Sequence, residues 1–190
     1  DYYASRGLGD VYKRQGEEDV KKVLDRVSIE ENDPLYIANY NGPGQLVITG
    51  GRQAVKKACR IFKEMGSKRA LVLPQKGVGH SPNSAEEGRI LGEELKKLNW
   101  HTPQVPIYMD ADGKPHTDPK DILETELKLM TYPVQWTSII RNMVSDGVNF
   151  FYEVGTDDTL QKIVARMCPD LFVTSIWTTP EYKNINPFNI

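Results

Sequence analysis

Apolar positions in the first part of the chain recur at helical spacing in two segments. Residues 16–28 carry acidic side chains at the start and one apolar stripe, which predicts an amphipathic helix. Residues 52–66 show the same period and end in Gly66, a residue typical of helix termination. The apolar positions of the two stripes are Val20, Val23, Leu24, Val27, Val55, Ala58, Cys59 and Phe62.

Three apolar runs between and after these helices have the length and composition of strands. Residues 34–41 and 45–50 predict a hairpin, because Gly42 and Gly44 between them permit a tight reversal. Residues 68–74 predict a third strand that ends at a proline. The order helix, strand, strand, helix, strand predicts a ferredoxin-like unit, a split βαβ arrangement, whose first strand is missing.

The rest of the chain alternates strands and helices, which predicts part of an α/β layer. A capping box of Ser84 and Glu87 predicts where the next helix begins. Residues 148–155 form an apolar run of the kind found in buried strands. The sequence predicts helices at 84–100, 122–130, 136–147 and 157–167, a short strand at 104–109 and a charged loop at 110–121.

The first fifteen residues lack any apolar period, cap or turn pattern. Their last six letters, DVYKRQ, look like a translated transposon-end adapter from a sequencing library. We therefore expect residues 1–15 to be a non-native, adapter-derived segment and exclude them from fold prediction. A natural polar N-terminal arm is the alternative.

Composition excludes several function classes. With 24 basic and 26 acidic residues and a net charge of −2, the sequence as a whole does not indicate nucleic-acid binding. No apolar run approaches the roughly 20 residues that span a bilayer, and no signal peptide opens the chain. Two cysteines without C-x-x-C spacing indicate neither a disulfide framework nor a zinc site. We expect a cytoplasmic protein that binds neither nucleic acid nor membrane.

Other candidate ligand groups give weak signals. His101 and His116 lie in polar segments without metal-ligand spacing. Asp110, Asp112 and Asp118 suggest a calcium loop, but they lack the closing Glu and the fixed spacing, so a solvated loop is the preferred interpretation. We predict no metal site and no cofactor site.

Two sequence blocks indicate a family. The block IANYNGPGQLVITG (37–50) resembles the signature of malonyl-CoA:acyl carrier protein transacylases and related acyltransferase domains. The block YPVQWTSIIRNMVSDGVNFFYEVG (132–155) resembles a second segment of that family, and GHSP (79–82) falls where the family has its catalytic histidine. The resemblance covers about residues 17–168 in collinear order.

The resemblance implies an acyl-carrier-protein S-malonyltransferase of fatty-acid biosynthesis. The expected partners are malonyl-CoA, as substrate, and acyl carrier protein, whose phosphopantetheine thiol accepts the malonyl group. His80 matches the general base that activates a serine in a G-H-S-x-G elbow, and imidazole suits this role because it exchanges protons near neutrality. An incidental loop histidine is the alternative. The backbone carbonyl at Leu129 is expected to orient the ring.

The implied fold is α/β, with a ferredoxin-like small subdomain (16–75) inserted in an α/β-hydrolase-like acyltransferase domain, of which residues 76–190 are the C-terminal part. No serine stands in a G-x-S-x-G pattern. The family's serine and its carboxylate-binding arginine are expected upstream of this chain, so we predict a fragment that is inactive alone.

Substrate-pocket predictions are weaker. Asn41 matches the first family block, although a structural role in the hairpin turn is the preferred interpretation. Gly79 replaces the Phe or Ser that usually precedes the family histidine, which puts malonyl specificity in question. The alternatives to a malonyl transferase are a non-catalytic remnant or carrier-binding module of the same fold, and a polyketide-type acyltransferase with another extender unit.

Overall fold

The structure, a computed structural model, describes residues 6–12, 16–74 and 79–178, with only the backbone described for residues 6–12 and Trp177. Expectations for residues 1–5 and 13–15 lie outside this range. The chain divides into two compact units, residues 1–139 and 140–190. The first unit contains β1 (Arg6–Tyr12), α1 (Glu17–Glu31), β2 (Tyr36–Gly42), β3 (Gln45–Gly51), α2 (Arg52–Glu64), β4 (Arg69–Val72), α3 (Ala85–Leu95), β5 (Ile107–Tyr108), β6 (Pro115–His116) and α4 (Pro119–Glu126).

A four-stranded antiparallel sheet in the order β2-β3-β1-β4 forms the base of the first unit. The predicted apolar stripes of α1 and α2 are buried and form one core with residues of the strands. Phe62 and Ile48 are the largest fully buried side chains at its centre. Gly66 lies just after α2 and has a positive φ of 88°. This conformation lets the N–H groups of Gly66 and Ser67 donate to the carbonyls of Lys63 and Phe62 in the last turn of the helix. The two predicted helices and three predicted strands of this region are confirmed.

The prediction that the first strand is missing is wrong. Residues 6–12 form β1, which pairs with β3 on one side and with β4 on the other. The apolar pattern gave no sign of this strand, because two glycines interrupt the segment RGLGDVY. Backbone N–H and C=O groups of neighbouring strands need partners, and any extended segment supplies them whatever its side chains.

The chain after β4 returns to the same unit. A 3₁₀ turn, Pro82–Ser84, precedes α3, and β5 pairs with β6 in a short hairpin before α4. The Ser84 side chain makes no N-cap hydrogen bond, because the 3₁₀ turn gives it a φ of −105° and ψ of 25°, away from the extended cap conformation. Residues 79–139 fall in the same compact unit as the four-stranded sheet.

The second unit is small. It contains the end of α5 (Trp136–Ser145), β7 (Phe150–Glu153), α6 (Thr159–Met167) and β8 (Phe172–Ser175), with β7 and β8 paired in parallel. The prediction of a buried strand at 148–155 is wrong, since Phe150 is 50% exposed and Phe172, stacked on it at 5.2 Å, is 63% exposed. One paired strand and one helix do not cover both faces of β7.

Among the described residues, no helix is long and apolar enough to cross a bilayer.

Candidate active site

The His80 ring is held in a defined orientation. Its Nδ1 lies 2.8 Å from the backbone carbonyl oxygen of Leu129, and only a protonated Nδ1 can donate to that carbonyl. The lone pair of the neutral ring is then on Nε2. This is the hydrogen bond expected from the family resemblance.

Backbone strain accompanies this orientation. His80 has a φ of 55°, one of two positive values among the described non-glycine residues. The left-handed region is unfavourable for a residue with a Cβ, and such conformations persist where the surroundings hold them. Next to it, the Ser81 N–H donates to the Met130 carbonyl at 3.2 Å. The loop that carries His80 is thus bonded at two consecutive residues to the segment that follows α4.

An apolar cavity of about 720 Å³ lies beside His80. Its wall is formed by α1, the start of β2, the turn after His80 and the segment 131–133. Among the described lining residues, the polar side-chain groups are those of His80, Lys21 and Asp25 and the hydroxyl groups of tyrosine and threonine. The lining residues are Lys21, Leu24, Asp25, Leu35, Tyr36, Ile37, Tyr40, His80, Pro82, Ala85, Thr131, Tyr132 and Pro133. The first family block, which begins at Ile37, and the family histidine therefore border one cavity.

The edge of β2 fixes the second family block against this cavity. The Tyr40 N–H donates to the Val134 carbonyl at 2.9 Å, and the Val134 N–H donates to the Ala38 carbonyl at 2.8 Å. The Thr137 hydroxyl adds a hydrogen bond to the Tyr40 carbonyl at 2.9 Å. These bonds extend the sheet by one residue in parallel, which positions Tyr132 and Pro133 in the cavity wall.

An ion pair lies next to Tyr40 in the cavity wall. The Tyr40 hydroxyl donates to Glu17 at 3.2 Å, and Lys21 pairs with the same carboxylate at 2.6 Å. The hydrogen bond from Lys21 lowers the pKa of Glu17, whereas burial and then the charge of Glu17 raise the pKa of Tyr40. Tyr40 is therefore a neutral hydrogen-bonding group between the apolar wall and the ion pair.

One acidic side chain, Asp110, lies near the histidine, and a second, Glu126, lies near Asp110. Burial raises the pKa of Asp110, and the electrostatic influence of His80 opposes this rise. Burial also raises the pKa of Glu126, with Asp110 as the second cause. Within the predicted solvated loop Asp118 is exposed, whereas Asp110 is only partly exposed and its carbonyl accepts a hydrogen bond from the Gln135 N–H at 2.8 Å.

Comparisons with known proteins agree with this geometry. No family model matches the sequence. The chain is 30% identical over 159 residues to the malonyl CoA-acyl carrier protein transacylase of Haemophilus influenzae, covering 84% of this chain and 51% of that protein. It is 33% identical over 146 residues to the Escherichia coli K12 transacylase, covering 77% and 47%. The crystal structure of the Xanthomonas oryzae transacylase superimposes with a TM-score of 0.87 at 26% identity, covering 95% of this chain and 57% of that one.

The chain is homologous to malonyl CoA-acyl carrier protein transacylases. This confirms the family indicated by the two sequence blocks. The chain spans about half the length of the curated relatives it matches.

The three site residues predicted from the transacylase resemblance differ in whether they line the cavity. His80 lines the cavity, whereas Asn41 and Gly79 are not among its lining residues. Ser81 follows a glycine and a histidine, as the transacylase elbow serine does, but its side chain is only 1% exposed and its hydroxyl has no partner among the described residues. Its burial argues against a role as the attacking group.

Sequence reasoning missed several residues beside the transacylase-like histidine. Tyr132 and Pro133 stand in the second family block, so their place in the cavity wall had a signal in the sequence. Lys21 and Asp25 lie on the polar side of α1 and had none, because a helix pattern does not show which polar residues meet a neighbouring segment.

Proposed function

We propose that this protein takes part in the transfer of a malonyl group from malonyl-CoA to the phosphopantetheine thiol of acyl carrier protein, with His80 as the general base. The observation that carries the proposal is the His80 Nδ1 hydrogen bond to the Leu129 carbonyl beside the apolar cavity. The partners follow from the homologous transacylases. We further propose a cytoplasmic location and fatty-acid biosynthesis as the setting.

The chemistry assigned to His80 is proton exchange at Nε2. In the proposed reaction Nε2 accepts the proton of a serine hydroxyl as the oxygen attacks the thioester carbonyl, and then returns it to the leaving coenzyme A thiolate. In the second half, Nε2 accepts the proton of the carrier thiol and returns it to the serine oxygen. The Leu129 carbonyl keeps the ring in one tautomer throughout, so each transfer uses the same nitrogen.

The nucleophile is the part of this mechanism that the 190 residues do not supply, since no serine stands in a G-x-S-x-G pattern. We therefore expect the chain alone to form no acyl-enzyme, because a base without a nucleophile has no hydroxyl to activate. Incubation with radiolabelled malonyl-CoA measures this directly. A hydroxylamine-sensitive label on the chain would contradict the expectation.

A chimaera tests the role of His80. Residues 16–178 replace the matching region of the E. coli transacylase, and malonyl transfer to carrier protein is measured. The His80→Gln variant is expected to lose about 10²–10⁴-fold in kcat, the range of general acid–base catalysis. His101→Gln is the matched control, because His101 is exposed. Equal activity of the two variants in an active chimaera would remove His80 from the mechanism.

The strand order of the four-stranded sheet supports a proposal for the type of subdomain it forms. We propose that residues 6–72 form a ferredoxin-like subdomain, since the order β2-β3-β1-β4 and the succession βαββαβ are those of that motif. We propose that the rest of the chain is part of an α/β-hydrolase-like acyltransferase domain.

A second candidate function is transfer of a larger extender acid, because Gly79 stands where the family usually has Phe or Ser. A Cβ built at Gly79 meets no atom of the described residues within 4 Å, so a larger side chain fits there. The Gly79→Phe chimaera compares malonyl with methylmalonyl transfer, and Asn41→Ala is assayed beside it for any pocket role. An unchanged ratio of the two substrates in Gly79→Phe would reject this candidate.

A further inference from the structure

Basic residues are concentrated in α2 and the turn after it. Residues 52–69 contain seven of the 24 basic residues of the chain and one of its 26 acidic residues, Glu64. The remaining positions hold 17 basic and 25 acidic residues. A chain with a net charge of −2 thus has one strongly positive segment.

Three of these cations share one exposed face of α2. Lys56, Arg60 and Lys63 are spaced four and three residues apart, which places them on the same side of a helix, and all three are exposed. Among the described residues none of the three has an ion-pair partner. Lys57, on another side of the helix, is instead neutralised by Glu30 and Glu31 at 2.9 and 2.5 Å.

This basic face borders a groove. The groove has a volume of about 470 Å³, and its other wall is β4, which lies at one edge of the described sheet. The cavity beside His80 involves β2, at the opposite edge of the sheet, so the groove is a separate feature. The residues that line it are Gln53, Lys56, Cys59, Arg60, Lys63, Ala70, Leu71 and Val72.

We infer that the basic face of α2, defined by Lys56, Arg60 and Lys63, is a docking surface for an acidic protein. The partner's identity as acyl carrier protein rests on the proposed function. Opposite charges at an interface accelerate encounter and set orientation, and unpaired cations on one face match acidic side chains on one facing helix.

Size and charge favour a protein over a nucleic acid. The helix has 13 residues, a length of roughly 20 Å, which is enough for one facing helix. A nucleic acid would extend beyond this helix, and outside residues 52–69 the chain carries 25 acidic and 17 basic residues, a balance that disfavours phosphate binding.

Binding measurements test the surface without relying on catalysis. Dye-labelled holo-acyl carrier protein is titrated with the chain at low salt, and fluorescence anisotropy gives the Kd. The triple variant K56E/R60E/K63E is expected to raise the Kd about tenfold or more, because three attractive contacts become repulsive. K96E/K114E/K120E is the matched control, since its three lysines are exposed on other elements and it changes the net charge equally. This control is expected to stay within about twofold of wild type, and added salt is expected to remove the difference between the triple variants.

Several outcomes would overturn the inference. Absence of carrier-protein binding by the wild-type chain would do so, as would an equal loss in both triple variants, which indicates overall charge alone. Tighter binding of a duplex DNA oligonucleotide than of carrier protein would replace it with a nucleic-acid surface.

The chimaera separates this inference from the proposed function. With the triple variant, transfer to carrier protein is expected to show a raised KM while transfer to free pantetheine is unchanged. An unchanged KM for carrier protein refutes the docking surface alone. Failure of the wild-type chimaera with both thiols refutes the proposed function.

Discussion

The strained backbone at His80 has a measurable consequence for stability. His80 has a φ of 55° and donates Nδ1–H to the Leu129 carbonyl. Replacement by Ala or by Gly removes the same imidazole and the same hydrogen bond, a loss of about 0.5–1.5 kcal/mol in either variant. The two variants differ in what the backbone conformation costs.

The sign of that difference is unusual. Alanine keeps the left-handed penalty of roughly 1–2 kcal/mol, whereas glycine does not pay it. Glycine loses more conformational entropy on folding, which offsets about 0.4–1 kcal/mol of this gain. We therefore expect His80→Gly to be more stable than His80→Ala by about 1 kcal/mol.

Urea denaturation monitored by tryptophan fluorescence measures the difference, with equal m-values as the condition for comparing midpoints. Lys22→Ala and Lys22→Gly are the matched control pair, because Lys22 lies in the interior of α1 and is exposed. There glycine is expected to be the less stable by about 1 kcal/mol. If His80→Ala equals or exceeds His80→Gly in stability, the left-handed conformation is not what the backbone adopts in solution.

Three further predictions concern charge, core and capping. Burial raises the pKa of Asp110 above the ordinary carboxyl value of 3.8, so ionisation of this group opposes folding and its contribution to stability falls as the pH rises. Asp110→Asn is therefore expected to raise the Tm at pH 7 and to leave it unchanged near pH 3. A lower Tm at pH 7 would contradict this. Phe62 is 0% exposed, so Phe62→Ala is expected to lower the free energy of unfolding by about 3–5 kcal/mol in a urea titration. The control is Ile29→Ala, at a residue that is 82% exposed, which is expected to change that free energy by less than about 0.5 kcal/mol. The Glu153 carboxylate accepts hydrogen bonds from the N–H groups of Leu160 and Gln161 at 3.1 and 2.7 Å in the first turn of α6, so Glu153→Ala is expected to destabilise the second unit by about 1 kcal/mol and to speed amide exchange in α6; exchange that is unchanged there would reject the capping role.

Local pattern was enough for most helices and strands of the first unit. The apolar stripes of α1 and α2 gave both their positions and their buried faces, because a helix that packs on a sheet needs one continuous apolar stripe. The pattern failed at β1, where backbone pairing rather than side-chain period defines the strand. It also failed at β7, where an apolar composition did not tell how many neighbours cover the strand.

The candidate site also contains residues that the sequence located and residues that it did not. The family resemblance located His80, in the GHSP stretch, and the Leu129 carbonyl, shortly before the second block. The approach of Asp110 to His80 had no such signal. Asp110 lies in the loop of the β5–β6 hairpin, thirty positions from His80 in sequence, so only folding brings the two residues together.

What the sequence by itself determined is the set of segments that can bury an apolar face, the family, and the histidine suited to exchange protons. Only the tertiary structure decided that β1 completes the sheet, that β2 and the segment 131–134 meet beside His80, and that three cations of α2 face solvent together. The physical reason is the distance along the chain over which each kind of interaction acts. Helix and strand periodicity arise from neighbours a few residues apart, whereas a cavity or a charged face is formed by residues that only folding brings together.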